Sequence, residues 1–438
     1  MPRWPVCRRS VNRRIRHAER RLGMNSRRFC FFCLSVLLFV CQPQPGFTDC
    51  RLLADLALQG AYGVAGNNGL VLQGCRPAQP MVPASVVKIA TVSAALSILG
   101  PDYRFRTDFF YDRHGNLFIK GWGDPTLVSE EIPGIVHNLR QRGLQHVNML
   151  YVDASAFALA GQAPGSENSA NPYDAPIGPL SVNFNSVAIV KKPDGQVASG
   201  ESQTPDLPIM QVLGKSLPVG SSRVNICTRG CEAEERMARY AGELFEVFLQ
   251  RTGITVGAQG GLHPVPVDAV HLYTHYSPKT LTAISQSMLH YSSNFTANLV
   301  FLACGARKYG FPATWEKAEQ AVYQELVRQL GPNVAKEIVQ VDGAGLSRDN
   351  RVTVQGMLEL LTGFRPQMGL LKNEHGVRMK TGTLTGVYNM AGYLPGGQAF
   401  VILLNQPVNN RSEILNSLVR RYAGTSSSAQ SVHFSQPR

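Results

Sequence analysis

Three short patterns stand in chain order: Ser85-x-x-Lys88, Ser292-x-Asn294 and Lys380-Thr381-Gly382. A serine hydroxyl is a weak nucleophile until a base takes its proton. A lysine three residues further along a helix lies on the same face as that serine. It can serve as the base only if burial or a second cation favours its neutral form. Lys380 is the candidate for that second cation. A helix starting at Ser85 would add positive potential where an oxyanion forms.

Each pattern alone is weak. Ser-x-x-Lys is expected about once by chance in a chain of ordinary composition and this length. Ser169-Ala-Asn171 and Ser181-Val-Asn183 also fit Ser-x-Asn, and both Ser and Asn favour helix N-caps. Lys-Thr-Gly is rarer, but it also suits a strand end followed by a turn. Order and context give the set its weight: Ser85 opens an apolar helix, Ser292 falls in a helical region, and Lys380 sits on a strand.

The elements that must position these groups follow from periodicity. Residues 61–75 read as a hairpin around Asn67-Asn68-Gly69, residue types that tolerate positive φ. Apolar residues at 86, 89, 96 and 99 predict a helix over 85–99, stopped by Gly100-Pro101. Residues 105 to 265 carry short alternating strands, including 104–111 and 117–121, and 160–179 reads as a surface loop. Helical patterning returns after His271. Leu281, Ile284, Met288, Phe295, Leu299 and Leu302 form one stripe, and a second helix is expected over 314–330. Strands follow from 376 into the Lys-Thr-Gly motif, over 388–394 and 399–405, and then a helix over 412–422.

The net charge of +13 suggests nucleic acid, but its distribution excludes that partner. Residues 1–28 hold ten Arg and one Glu, net +9, which leaves +4 for the other 410 residues. Residues 29–41, FCFFCLSVLLFVC, are too short to span a bilayer comfortably. A basic head before an apolar run of this length reads as a secretory signal, with Met24 a candidate start. The membrane would then be touched only through an uncleaved leader. Lipidation at Cys41 is disfavoured by the bulk of Val40. Of nine Cys, Cys50–Cys75 and Cys227–Cys231 are plausible disulfides in an oxidising compartment, which leaves Cys304 free. No metal or organic cofactor is implied.

Longer segments carry a resemblance. MVPASVVKIATVSAALSILGPDYRFRT (81–107), GDPTL (123–127), YVDASAF (151–157), LSVNFNS (180–186), MLHYSSNFTANLVF (288–301), DGAGLSRDN (342–350) and KTGTLTGVYNMAGYL (380–394) occur in that order. Over about residues 55–407 the chain resembles D-alanyl-D-alanine carboxypeptidases/endopeptidases of the penicillin-binding protein 4 type, class C and of low molecular mass. The resemblance implies an α/β (α+β) fold. In it, a transpeptidase-like domain with a five-stranded antiparallel sheet flanked by helices is interrupted by a β-rich insertion. The expected division is a leader at 1–48, a split catalytic domain at 49–105 plus 266–422, an insertion at 106–265, and a disordered tail at 423–438.

The resemblance also implies roles. Ser85 would be the acylated nucleophile and Lys88 its base. Ser292 would pass the proton toward the leaving amine, and Asn294 would hold Lys88 and a substrate carbonyl. Lys380 would supply charge, Thr381 would bind the substrate's terminal carboxylate, and Gly382 belongs to the same substrate-binding motif. The backbone N–H groups of Ser85 and Thr383 would form an oxyanion hole. Asp342, Gly343 and Ser347 would be structural, and Asp124 a turn former. Substrates would be peptidoglycan stem peptides, β-lactams would be covalent inhibitors, and the site of action would be the periplasm or cell envelope. One departure stands out. Members that grip the amino group of diaminopimelate carry a Trp-rich stretch with an Asp, where this chain reads GSENSANPY (165–173). The competing readings are a β-lactamase-like hydrolase, for which no Glu motif can be assigned, and a non-enzymatic peptidoglycan-binding protein.

Overall fold

The computed structural model of the protein describes residues 50–422 other than 168, 228 and 229. The expected leader and the expected tail lie outside the described residues. The hairpin is present as β1 (Gly60–Ala65) and β2 (Val71–Cys75). Its turn is closed by Gly69 at φ 80°, a conformation that costs glycine nothing because it has no Cβ. A single 3-10 turn, Ala84–Val87, leads into α1 (Lys88–Ile98), so the helix expected from 85 starts with a tighter turn. Gly100, at φ 93°, ends it.

The middle of the chain contains β3 (Arg106–Tyr111), β4 (Leu117–Gly121), α2 (Ile132–Gln141) and β5 (His146–Asp153). There follow β6 (Ser186–Lys191), β7 (Val197–Ser199), α3 (Pro208–Gly214), β8 (Gly220–Asn225) and α4 (Ala233–Arg251), then β9 (Thr255–Leu262) and β10 (Val270–Tyr276). This segment is therefore richer in helix than expected. Met237, Tyr240, Ala241, Leu244, Phe245 and Phe248 of α4 are buried at spacings of three and four, one stripe of an amphipathic helix. Turn residues on either side obscure that stripe in the sequence. One sheet has the order β10-β3-β4-β5-β9, with parallel β4–β5 and β5–β9 ladders. A second, antiparallel sheet has the order β7-β6-β8. Because β10 pairs with β3, the five-stranded sheet takes its last strand from beyond residue 265.

The remainder holds α5 (Leu281–Tyr291), α6 (Asn294–Tyr309), α7 (Trp315–Leu330), β11 (Ile338–Val339), β12 (Arg351–Val352) and α8 (Val354–Phe364). Then come β13 (Lys372–Glu374), β14 (Val377–Leu384), β15 (Val387–Tyr393), β16 (Ala399–Leu404) and α9 (Arg411–Tyr422). The main sheet runs β13-β14-β15-β16-β1-β2 and is antiparallel throughout. It has six strands rather than the expected five, because the three-residue β13 adds an edge. Side-chain alternation gives it two buried faces. Ala61, Ala65, Val401 and Leu403 pack against the helices that include α1, α6 and α8. Tyr62, Val64, Phe400 and Ile402 pack against α9. Cys50–Cys75 and Cys227–Cys231 are disulfide-bonded, and Cys304 is free and buried.

Candidate active site

The helical stripe from 281 onward is two helices, not one. Ser292 takes a left-handed φ of 57° between α5 and α6. Its neighbour Ser293 is the cap of α6 and accepts from Thr296 N at 3.1 Å. The N-cap of α6 is thus neither Ser292 nor Asn294. That leaves both side chains free of the helix end, and both line a cleft of about 740 Å³ together with Ser85 and Thr383.

Lys88 lies beneath Ser85, fully buried at 0% exposure. Its Nζ donates to Ser85 Oγ at 2.7 Å, to Asn294 Oδ1 at 2.8 Å and to Ala344 O at 2.7 Å, so all three N–H bonds of the ammonium form are used. Burial and, next, the charge of Lys380 push its pKa well below the ordinary lysine range, while Asp342 opposes the shift. The group is thereby poised to become an amine that accepts the Ser85 proton through the contact already made.

The carbonyl of Ala344 is placed by a loop folded around Asp342. That buried carboxylate accepts from the backbone N–H groups of Ala344 (2.7 Å), Gly345 (2.6 Å), Leu346 (3.2 Å) and Ser347 (2.9 Å), and from Asn350 Nδ2 at 2.6 Å. Thr91 Oγ1 donates to Gly343 O at 2.8 Å and ties the loop to α1. Ser347 thus lines the cleft, while Asp342 and Gly343 sit behind it in the supporting loop. Asp124 is buried and accepts from Thr126 N at 2.8 Å, the geometry of a turn, away from this cleft.

Lys380 and Gly382 share the face of β14 that meets α1 and the Ser85 turn. Lys380 is 3% exposed, and burial, then Arg411, bring its pKa down to about 8. A Cβ on Gly382 would lie 2.8 Å from Pro83 O and 2.9 Å from Ser85 N. Glycine here lets the strand approach the nucleophile's backbone. Gly382→Ala should therefore push β14 away from Ser85 and slow acylation by a β-lactam about 100-fold, an effect typical of misplacement by about 1 Å. Stopped-flow acylation with circular dichroism as a folding control checks this; an unchanged rate would remove Gly382 from the site.

Thr381 and Thr383 lie on the other face of β14. Thr383 lines the cleft and its Oγ1 accepts from Arg411 at 2.7 Å. Thr381 is not among the cleft residues. The structure adds groups that the sequence reading did not single out. Arg411 is buried beside Thr383, and Glu167, Arg348 and Asp349 line the cleft. Arg348 donates to Thr385 O at 2.6 Å, bridging the Asp342 loop to the turn after β14. An isolated Arg after the last strand carries no pattern, and a main-chain carbonyl such as that of Ala344 carries none at all. Among the described residues no group of three or more His, Cys, Asp or Glu is placed to hold a metal.

The model of the D-Ala-D-Ala carboxypeptidase 3 (S13) family matches residues 57–215 and 212–372. The chain belongs to that family. A D-alanyl-D-alanine carboxypeptidase of Actinomadura sp. (strain R39) is 27% identical over 431 residues, covering 81% of this chain and 79% of the relative. The crystal structure of penicillin binding protein 4 (dacB) from Haemophilus influenzae matches with a TM-score of 0.68 at 21% identity, covering 85% of this chain and 100% of that one. The same protein complexed with a β-lactam matches with a TM-score of 0.65 at 20% identity, covering 86% and 99%. These structures share the fold with this S13 peptidase. Among its described residues no helix is long and apolar enough to cross a membrane.

Proposed function

We propose that the protein is a serine-type D-Ala-D-Ala carboxypeptidase that acts on peptidoglycan stem peptides in the periplasm through an acyl-enzyme on Ser85. The observation that carries this is the buried Lys88 amine, 2.7 Å from Ser85 Oγ and held by Asn294 and Ala344. In this reading Lys88 takes the Ser85 proton as Oγ attacks the carbonyl of the penultimate D-alanine. The developing oxyanion is met by the N–H groups of Ser85 and Thr383. Ser292 passes the proton to the departing D-alanine, and water then hydrolyses the ester. Lys380 supplies positive charge from behind the Ser85 turn, and Thr383, which lines the cleft and is bonded to Arg411, faces the terminal carboxylate, whereas Thr381, the residue expected there, lies outside the cleft lining. Pairing of β14 with β13 stops at Met379, so the Lys-Thr-Gly stretch has a strand edge along which an extended peptide can lie. The solved Haemophilus influenzae protein complexed with a β-lactam supports binding of that class of compound. The split catalytic part and the insertion are retained in this reading, with the far boundary drawn at residue 276 because β10 belongs with β3.

Mass spectrometry of muropeptides after incubation tests the activity. Loss of one terminal alanine is the expected result. Cleavage of cross-linked dimers would add endopeptidase action, and no change in either substrate would overturn the reading. Rapid turnover of nitrocefin would instead favour a β-lactamase.

The two lysines set a pH profile. Acylation should rise as Lys88 loses its proton and fall as Lys380 loses its own near pH 8. Because Lys380 lowers the Lys88 pKa, Lys380→Gln should raise it again. The acid limb then moves to higher pH, the alkaline fall disappears, and acylation at neutral pH drops roughly 10- to 100-fold. A profile of unchanged shape would exclude an electrostatic role for Lys380.

A further inference from the structure

Beyond Ser292 and Asn294 lies a second cleft of about 650 Å³. Tyr173, Ser292 and Asn294 line both this cleft and the one that holds Ser85, so the two are continuous.

One wall of the second cleft is a strained turn. Asn183, Phe184 and Asn185 are consecutive and all left-handed, at φ 50°, 59° and 48°. Asparagine visits this region readily, but an aromatic residue does not. The two buried asparagines clamp the turn. Asn183 accepts from Ser129 N at 2.8 Å and donates to Tyr240 OH at 3.0 Å. Asn185 donates to Pro176 O and Ser181 Oγ, both at 2.9 Å. Phe184 is thereby held outward, 39% exposed, edge-on against Phe295 at 6.0 Å. Phe295 directly follows Asn294 of the catalytic cleft. Tyr291, beside Ser292 in the chain, also lines the second cleft and is 84% exposed. The remaining wall is polar, with Glu130, Gln203 and an ion pair between Arg223 and Glu201.

Exposed aromatic rings beside carboxylate, amide and guanidinium groups suit a pyranose. The C–H face of a sugar covers a ring, while its hydroxyl and acetamido groups meet planar donors and acceptors. We propose that this second cleft binds the N-acetylated amino sugar of a peptidoglycan fragment whose stem peptide lies in the catalytic cleft. The inference rests on the peptidase reading above and adds a glycan subsite to it.

The test compares D-alanine release from a free stem pentapeptide with release from the same peptide joined to N-acetylmuramic acid. Wild-type protein should show a kcat/KM at least about five-fold higher for the sugar-bearing substrate, carried by KM, as expected where the sugar is bound equally in ground state and transition state. Phe184→Ala and Tyr291→Ala should each reduce that ratio toward one. Tyr291 serves as the second variant because its exposure leaves folding untouched. No sugar preference in the wild type, or equal losses on both substrates in both variants, would overturn the inference while leaving the peptidase intact. Preference for a sugar-free cross-linked peptide dimer would assign the cleft to a second peptide and overturn it as well. Release from neither substrate, with no penicillin labelling, would remove the peptidase reading and this inference together.

Discussion

Ser85→Ala is expected to abolish covalent labelling by a fluorescent penicillin and to lower D-alanine release by about 10⁶-fold, the loss typical when a serine nucleophile is deleted. In the proposed reaction the hydroxyl oxygen forms the ester, and no neighbouring group holds the contact with Lys88 that would let it take over. Ser292 lines the same cleft, but the buried amine contacts Ser85 and not Ser292. The fold should survive, since the change removes only the acceptor of one of the three buried Lys88 N–H bonds, about 1–3 kcal/mol, and a long 3.4 Å contact with Ala344 O. Intact-mass spectrometry with penicillin reads the result directly. An adduct that persists on the variant and maps to another residue would remove Ser85 from its role.

Lys88→Ala is expected to slow acylation by about 10³- to 10⁴-fold, the upper range for loss of a general base, or roughly 4–5 kcal/mol in the barrier. The substitution also leaves Asn294 Oδ1 and Ala344 O without their donor in a buried setting, at about 1–3 kcal/mol each. A structural and a catalytic role are separated by Lys88→Arg. A guanidinium restores charge and donors but cannot lose its proton at working pH, so acylation should stay low. Recovery of the rate in the Arg variant, with thermal unfolding unchanged, would show that Lys88 holds the loop and does not move a proton.

The sequence revealed the parts of this site that are repeated chemistry at fixed spacing. Ser85 and Lys88 are legible because one helical turn brings them together, and Lys380-Thr381-Gly382 because a strand must end beside them. The reason Gly382 is glycine is not legible. It lies in the 2.9 Å approach to Ser85 N, a contact between residues almost 300 positions apart. Ser292 was readable as a residue type but not as a helix break, since the apolar stripe runs through it unbroken. The amphipathic α4 has a plain 3.6-residue period, yet it lies in a segment whose turns and short alternations suggest strands. The three-residue β13 is too short for any period to register. Arg411 and the Ala344 carbonyl act through tertiary position alone, which only the fold supplies.

The pairing of β1 with β16, Gly60 opposite Leu404, has a consequence for biogenesis. The serine arrives early in synthesis, whereas the strand carrying Lys380 and the one that seals the sheet arrive last. The long connection between them raises the entropy of closing the sheet. The segment between can assemble its own core before that closure. A chain still lacking its C-terminal strands therefore holds Ser85 without Lys380 and Thr383, and the cleft is complete only once β14, β15 and β16 have joined β1.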